Sequence, residues 1–289
     1  MPNLKDIKRR IRSVKNTQQI TKAMKLVSAS KLRRAQQAIL HARPYAIHMM
    51  EVLNHLSARC NPDLHPLLSE REGDKVVLLI ITADRGLCGG FNGNIIRKAM
   101  KVIQENSEKE IFLLAAGKRG LDYFRHRPYK ILQDFAGWTK RFDYLKAQEI
   151  GDILAELFIQ KAADRVFVVY NEFKSVMQQE VIVEQLLPIV PEKLEVQKDQ
   201  PYVVDYIYEP DEEAILGNLL KRYMTVEVFR AFLESSASEH GARMTAMDSA
   251  TRNAGEMIDG LSLTYNKARQ AYITKELIEI VNGAEALKA

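Results

Sequence analysis

Residues 82–94, TADRGLCGGFNGN, form the segment of this chain that most resembles an active-site loop. It follows the apolar run 75–81 and precedes the helix-like run 95–106, a layout in which backbone N–H groups can cradle phosphates. However, its glycines have the spacing GxxGGxxG, and neither GxGxxG nor Gly-Lys-Ser/Thr occurs in the chain. We therefore predict a structural turn with residues at positive φ. A nucleotide-dependent enzyme centred on this loop is the weaker alternative.

The histidines and cysteines do not form a recognisable reactive site. His41, His48 and His55 are seven residues apart, so on a helix neighbours would share a face but lie about 10.5 Å apart. Zinc binds histidine nitrogens at about 2 Å, so these residues cannot share one ion. Cys60 and Cys88 form no CxxC pair. We predict no catalytic residue, no metal site and no bound cofactor.

Charge is distributed unevenly along the chain. Residues 1–60 contain 13 lysines and arginines against two acidic residues, for a net charge of +11, whereas the remaining residues carry a net charge of −6. A basic arm on an acidic body indicates an anionic partner: nucleic acid, a membrane surface or an acidic protein. No aromatic residue precedes Tyr45, so the arm lacks a stacking platform for single strands. A basic coiled coil that binds nucleic acid or tethers a partner remains an alternative function.

The elements that carry these residues begin with a long helix, predicted over 4–58 with a kink at Pro44. Such a helix would be roughly 80 Å long. Its apolar spacing begins with four residues, resumes in a shifted register and continues further on: Leu4, Ile7, Ile11 and Val14; then Ile20, Met24 and Val27; then Leu32, Ala35 and Ile39.

The middle segment alternates β-branched runs with helix-like pieces, which is typical of an α/β domain around a largely parallel sheet. Strands are predicted at 75–82, 110–116, 165–170, 180–187 and 202–208, and helices at 92–106, 117–126 and 145–162. We expect strands 165–170 and 180–187 to form an antiparallel pair at one edge.

The final segment, from about Asp211 to Ala286, contains no proline and predicts a second long helix. The two long helices flank a compact insert, so the economical arrangement is an antiparallel coiled coil. We predict three parts: an N-terminal helix over 1–60, a Rossmann-like α/β domain over 74–208, and a C-terminal helix over 209–289 that pairs with the first. The last 24 or so residues would then project alone. They carry apolar residues that a partner must cover: Ile273, Leu277, Ile278, Ile280, Val281 and Leu287.

Long motifs in both termini and in the insert resemble the γ subunits of the rotary F-type ATP synthases. They are NTQQITKAMKLVSASKLRRAQ (16–36), TADRGLCGGFN (82–92), YIYEPD (206–211), LESSASEHGARMTAMDSATRNAGEMI (233–258) and YNKARQAYITKELIEIVNGAEAL (265–287). The resemblance implies a non-catalytic rotor shaft inside a head of α and catalytic β subunits. It also implies a foot on the ε subunit and the c-ring, at the cytoplasmic face of a bacterial membrane, with no nucleic-acid partner.

The resemblance also implies individual contacts. Met24 and Lys25 match positions near acidic loops of the β subunits. Arg269, Gln270 and Thr274 match positions that hydrogen-bond the β subunits. The foot residues that meet the c-ring and ε correspond to Tyr206, Tyr208 and Glu209. Tyr272 departs from the small residue expected there, and the chain lacks the inserted regulatory cysteine pair of chloroplast members.

Overall fold

The computed structural model describes residues 4–57, 65–140, 142–190 and 212–286. The chain forms two compact units: Met1–Ser28 with Arg243–Ala289, called here the coil unit, and Ala29–Ala242, called the sheet unit. Helix α1 (Leu4–Ser57) and helix α5 (Glu212–Ala286) each contribute residues to both units. Both long helices are therefore confirmed. Pro44 lies inside α1, and the kink there remains a prediction.

The sheet unit contains five strands, in the spatial order β3-β2-β1-β4-β5. Along the chain these are β1 (Lys75–Ile81), β2 (Glu110–Ala116), β3 (Lys130–Phe135), β4 (Arg165–Phe173) and β5 (Gln179–Leu187). The first four are parallel, and β4 pairs with β5 in antiparallel fashion. The predicted edge pair is therefore confirmed. Strand β3 was not predicted, and the predicted strand 202–208 lies outside the described residues.

Three helices cover the sheet: α2 (Phe91–Glu105), α3 (Lys118–Arg125) and α4 (Tyr144–Ile159). Strand β1 is buried on both faces because Val77, Leu79 and Ile81 join the core beneath α4 and α5. Leu78 and Ile80 join the core beneath α2 and α3. Burial on both faces explains the uninterrupted apolar run of β1, which is characteristic of a central parallel strand.

An aromatic cluster packs the first part of α5 against the sheet. The ring of Phe232 is fully buried and lies 4.0 Å from the ring of Phe142 and 4.9 Å from that of Trp138, measured between centroids. The indole N–H of Trp138 donates a 2.8 Å hydrogen bond to the carbonyl oxygen of Thr82, at the end of β1. These contacts join α5 to the centre of the sheet through both packing and a satisfied polar group.

Within the coil unit, the buried residues of α1 keep a strict seven-residue repeat. Ile7 is buried, and so are Thr21 and Ser28, whereas Ile20 and Val27 are 60% and 58% exposed. The predicted shift of the apolar register at Ile20 is therefore wrong. A supercoiled helix pair holds one heptad seam, and here that seam continues through polar residues instead of moving to the nearest apolar ones.

The α5 side of the coil unit follows the same repeat, with Met247, Ala254 and Ile258 buried. Polar contacts join Gln18 to Thr251 and Lys25 to Asp248. Residue numbers on α5 fall as those on α1 rise, so the helices are antiparallel, as predicted. None of the described helices is both long and apolar enough to cross a membrane.

Candidate partner-binding surfaces

The end of α5 forms an exposed helical tip, defined here as residues 269–286. Ala268 is the last residue of α5 that is partly buried, and every described side chain from 269 to 284 is exposed. Apolar side chains on this tip are between 47% and 64% exposed: Ile273, Leu277, Ile278, Ile280 and Val281. The predicted exposure of these residues is confirmed. Leu287 lies outside the described residues.

The polar residues predicted to meet the β subunits lie at the start of this tip. Arg269 and Gln270 are exposed. The hydroxyl of Thr274 donates a 3.0 Å hydrogen bond to the carbonyl oxygen of Gln270, one turn earlier. Tyr272, also in this turn, is 56% exposed. One turn of helix thus presents a guanidinium, an amide and a phenol to the surroundings, and all three can donate hydrogen bonds.

The second predicted contact point, at Met24 and Lys25, lies further back in the coil unit. Met24 is half-buried, and the Lys25 ammonium donates a 2.6 Å hydrogen bond to the Asp248 carboxylate. That hydrogen bond lowers the pKa of Asp248 below its ordinary value. Asp248 precedes Arg269 by about twenty helical residues, or roughly 30 Å. The structure therefore places these two groups of predicted contact residues at separate levels of the helix pair.

An exposed apolar strip on α1 was not predicted. Ile20, Leu26 and Val27 are each about 60% exposed, on the side of α1 away from the seam. They were expected in the core because they are apolar. The signal that would have located them is the unbroken seven-residue spacing from Ile7 through Val14 to Thr21 and Ser28, which leaves Ile20 and Val27 outside the seam.

The basic residues of α1 are exposed along most of the helix, as a solvated or partner-facing surface requires. The fully exposed members within the described residues are Lys5, Lys8, Arg9, Arg10, Arg12, Lys15, Lys22, Lys31, Arg33 and Arg34. His41 and His48 are also exposed, and His48 lies 3.1 Å from Glu51. Tyr206, Tyr208 and Glu209, predicted to meet the c-ring and ε, lie outside the described residues.

The glycine-rich loop is built around Asp84. The Asp84 carboxylate accepts hydrogen bonds from the backbone N–H groups of Lys118, Gly137 and Thr139, and from the Thr139 hydroxyl. Burial raises the pKa of Asp84, but these hydrogen bonds outweigh it and leave the pKa below its ordinary value. A stable carboxylate therefore occupies the N-terminus of α3, where a phosphate would otherwise bind.

The backbone of this loop agrees with the predicted turn. Of its four glycines, all within the described residues, Gly89 has a positive φ, at 56°, and the neighbouring Leu87 has φ of 63°. The N–H of Phe91, the first residue of α2, donates to the carbonyl oxygen of Cys88, and the Asn92 side-chain oxygen accepts from Ala83. These donors are engaged within the loop, so the segment acts as a structural turn.

A charged network lies between α5 and the edge of the sheet. The Arg230 guanidinium contacts the Glu184 carboxylate at 2.6 Å and the Glu227 carboxylate at 2.6 Å, and it also donates to the Tyr170 hydroxyl. Burial raises the pKa of Glu227 even though the cation beside it acts in the opposite direction. The network is largely buried and well paired, so it attaches α5 to strands β4 and β5.

Comparison with known proteins agrees with this architecture. A family model described as ATP synthase matches residues 3–287. The "ATP synthase gamma chain" of Chlorobium phaeobacteroides is 50% identical over 294 residues, and that of Anaeromyxobacter sp. strain Fw109-5 is 50% identical over 293 residues. Each alignment covers the whole of both chains. The chain belongs to the ATP synthase gamma-chain family.

Solved structures of ATP synthases share the fold of this gamma chain. A chain of the Euglena gracilis mitochondrial enzyme, from a structure of OSCP, F1 and the c-ring, has a TM-score of 0.70 at 21% identity, covering 98% of this chain and 94% of that one. A chain of the Tetrahymena thermophila central stalk and c-ring has a TM-score of 0.61 at 27% identity, covering 80% and 99%. The predicted fold class is therefore confirmed, and the nucleic-acid alternative receives no support.

Proposed function

We propose that this chain is the central shaft of a bacterial F-type ATP synthase and couples ion flow to ATP synthesis by rotating against the catalytic β subunits. The observation that carries the proposal is the exposed tip of α5 in a chain of the gamma family. A lone helix with this much apolar surface needs a partner around it. The shaft performs no chemistry itself, since its work is to change the conformation of neighbouring catalytic sites.

The tip provides enough interaction energy for this coupling. Shifting a catalytic site from 1:99 to 99:1 between two states takes about 5.5 kcal/mol of differential contact energy. Fully burying one large aliphatic side chain contributes about 1.5–3 kcal/mol. Burying two or three more of the five apolar tip side chains against one β subunit than against another therefore supplies the required difference. An asymmetric shaft thus favours a different state at each of three chemically identical sites.

The proposed contacts divide by level along the chain. Arg269, Gln270 and Thr274 would hydrogen-bond loops of the β subunits, and Met24 with Lys25 would lie near acidic β loops. Tyr206, Tyr208 and Glu209 would meet the ε subunit and the c-ring. This division corresponds to the three predicted parts, 1–60, 74–208 and 209–289, and it places the chain at the cytoplasmic face of the membrane.

Truncation of the tip in the assembled enzyme tests the proposal. We compare the wild-type complex with one whose shaft ends at Ala268, and with a control whose shaft ends at Gly283 and so keeps all five apolar tip residues. We expect the shorter shaft to reduce ATP synthesis per transported ion at least about tenfold, corresponding to the loss of about 1.4 kcal/mol of coupling. The control should remain close to wild type.

The outcomes separate function from folding. Trp138 fluorescence should report an unchanged sheet unit in both truncated chains, because the tip makes no part of that unit. An enzyme that synthesises ATP normally with the shaft ending at Ala268 would contradict the proposed role of the tip. Failure of the tagged full-length chain to co-purify α and β subunits would contradict the proposal as a whole.

A further inference from the structure

The seam of the coil unit changes from apolar to polar part-way along α1. Its first positions are Ile7, Ile11 and Val14, each buried or half-buried. The following positions of the same repeat are polar and are also at least partly buried: Gln18, Thr21, Lys25 and Ser28. An antiparallel coiled coil stabilised by apolar packing alone has no need of this change, so the polar stretch calls for a physical explanation.

The polar seam residues are matched across the two helices. The hydroxyls of Thr21 and Thr251 lie 2.8 Å apart, and the Thr251 hydroxyl also donates to the carbonyl oxygen of Met247. The Gln18 amide donates a 3.4 Å hydrogen bond to the carbonyl oxygen of Thr251. The Lys25 ammonium reaches the Asp248 carboxylate at 2.6 Å. These contacts set a definite alignment of α1 against α5.

A slip of one heptad would break every one of these pairs. Sliding α5 by seven residues in one direction moves it about 10.5 Å and brings Gly255 opposite Lys25 and Ile258 opposite Thr21. Asp248 would then lose its cation at the seam. Apolar seam positions lose much less, because a slip by a whole heptad brings another seam residue opposite each of them. The polar pairs therefore penalise slipped alignments far more strongly than apolar packing does.

We propose that Thr21, Lys25, Asp248 and Thr251 form a register lock, which fixes the alignment of the two helices at some expense of packing energy. Buried polar residues at seam positions are known to specify register in this way. Lys25 is then a positioning residue whose partner lies in its own chain. Where the proposed function holds, the lock also sets the spacing between the contact level at Met24 and the contact level at Arg269.

Disulfide trapping in the isolated full-length chain tests the lock without any partner subunit. The aligned pairs place Ile11 opposite Leu261, so Ile11→Cys with Leu261→Cys reports the native register. Ile11→Cys with Ala254→Cys, or with Ala268→Cys, reports a slip of one heptad in either direction. Disulfides need Cβ atoms about 3.5–4.5 Å apart, so each pair forms only in its own register. Mass spectrometry of the unreduced monomer identifies the bonds.

The expected result compares native with slipped trapping. With the lock intact, we expect the native pair to form at least about ten times faster than either slipped pair. Replacing all four lock residues by leucine should reduce that ratio to about threefold or less, even though leucine strengthens apolar packing. The exchanged pair Lys25→Asp with Asp248→Lys should restore much of the ratio, because it preserves the attraction while reversing its direction.

A matched control weakens the seam without touching the lock. Val14→Ala with Ile258→Ala removes apolar packing one layer away and should leave the trapping ratio unchanged. If the four-leucine variant retains the wild-type ratio, or if the control lowers the ratio equally, the lock is refuted. This outcome is independent of the tip truncation, because trapping is measured in the free chain and coupling is measured in the assembled enzyme.

Discussion

Truncation of Phe232 should loosen the attachment of α5 to the sheet. Phe232 is fully buried, and its ring contacts those of Phe142 and Trp138. Phe→Ala changes at such sites destabilise by about 3–5 kcal/mol, through lost transfer energy and the cavity left behind. The two ring contacts each account for about 0.5–1.5 kcal/mol beyond area. We therefore expect Phe232→Ala to reduce the free energy of unfolding of the sheet unit by about 4 kcal/mol.

The chain carries its own reporter for this measurement. Trp138 is the only tryptophan and is 3% exposed, so its fluorescence follows the packing of this cluster during urea unfolding. With a urea dependence of about 2 kcal/mol per molar, the transition should move down by about 2 M. Tyr272→Ala, at an exposed aromatic on the same helix, is the matched control and should shift the free energy by less than about 0.5 kcal/mol.

The result can refute the reasoning directly. If the midpoint for Phe232→Ala lies within about 0.3 M of the wild type, the cluster does not stabilise the attachment of α5. If Tyr272→Ala shifts the transition equally, the effect belongs to the helix in general and not to the buried contact. A change in the urea dependence itself would show that the exposed surface of one of the two states had changed.

Two further changes probe the polar contacts of the sheet unit. Arg230→Met leaves the Glu184 and Glu227 carboxylates without their cation, so we expect a loss of about 3–5 kcal/mol near pH 8; the loss should shrink near pH 5 as the carboxylates protonate, and equal urea midpoint shifts at both pH values would contradict this. Asp84→Asn should cost about 1–3 kcal/mol near pH 7, because three backbone N–H groups lose their charged acceptor. The pKa of Asp84 is lowered in the folded chain, so its stabilisation is present above about pH 4 and is lost as pH falls below that value. A difference between wild type and Asp84→Asn that stayed constant from pH 7 to pH 3 would rule out this linkage.

The sheet was largely predictable because its central strands have a strong compositional signal. The β1 run, KVVLLII, has the uninterrupted apolar pattern of a strand buried on both faces, and it was predicted to within one residue. Strand β3, KILQDF, was missed. It lies at the edge of the sheet and most of its side chains are exposed or half-buried, so it has neither an apolar run nor regular alternation.

The seam of the coil unit was only partly predictable. Apolar content alone favoured Ile20 and Val27 as core residues, but the heptad repeat places Thr21 and Ser28 there instead. The partner of Lys25 is Asp248, which is 223 positions away in sequence. No local spacing reveals such a pair, because it depends on the alignment of two helices that are joined only through the insert.

The candidate surfaces show the same division between local and distant information. The apolar tip could be predicted because the two long helices differ in length, and the shorter leaves the end of the longer uncovered. Asp84 could not be recognised as the centre of its loop, since its hydrogen-bond donors follow β2 and β3 in sequence. The residues assigned to β subunits, ε and the c-ring depend on other chains, so only resemblance to a family could suggest them.

The exposed tip also limits how the cell can supply this protein. Before assembly, Ile273, Leu277 and Ile278 face water on a single helix, together with Ile280 and Val281. Unassembled copies with such surfaces associate with one another at micromolar concentrations. Synthesis of the chain must therefore keep pace with that of its partners, so that each new copy is enclosed soon after it folds. An excess of this one subunit would be lost to aggregation and proteolysis, and the number of complete complexes would not rise.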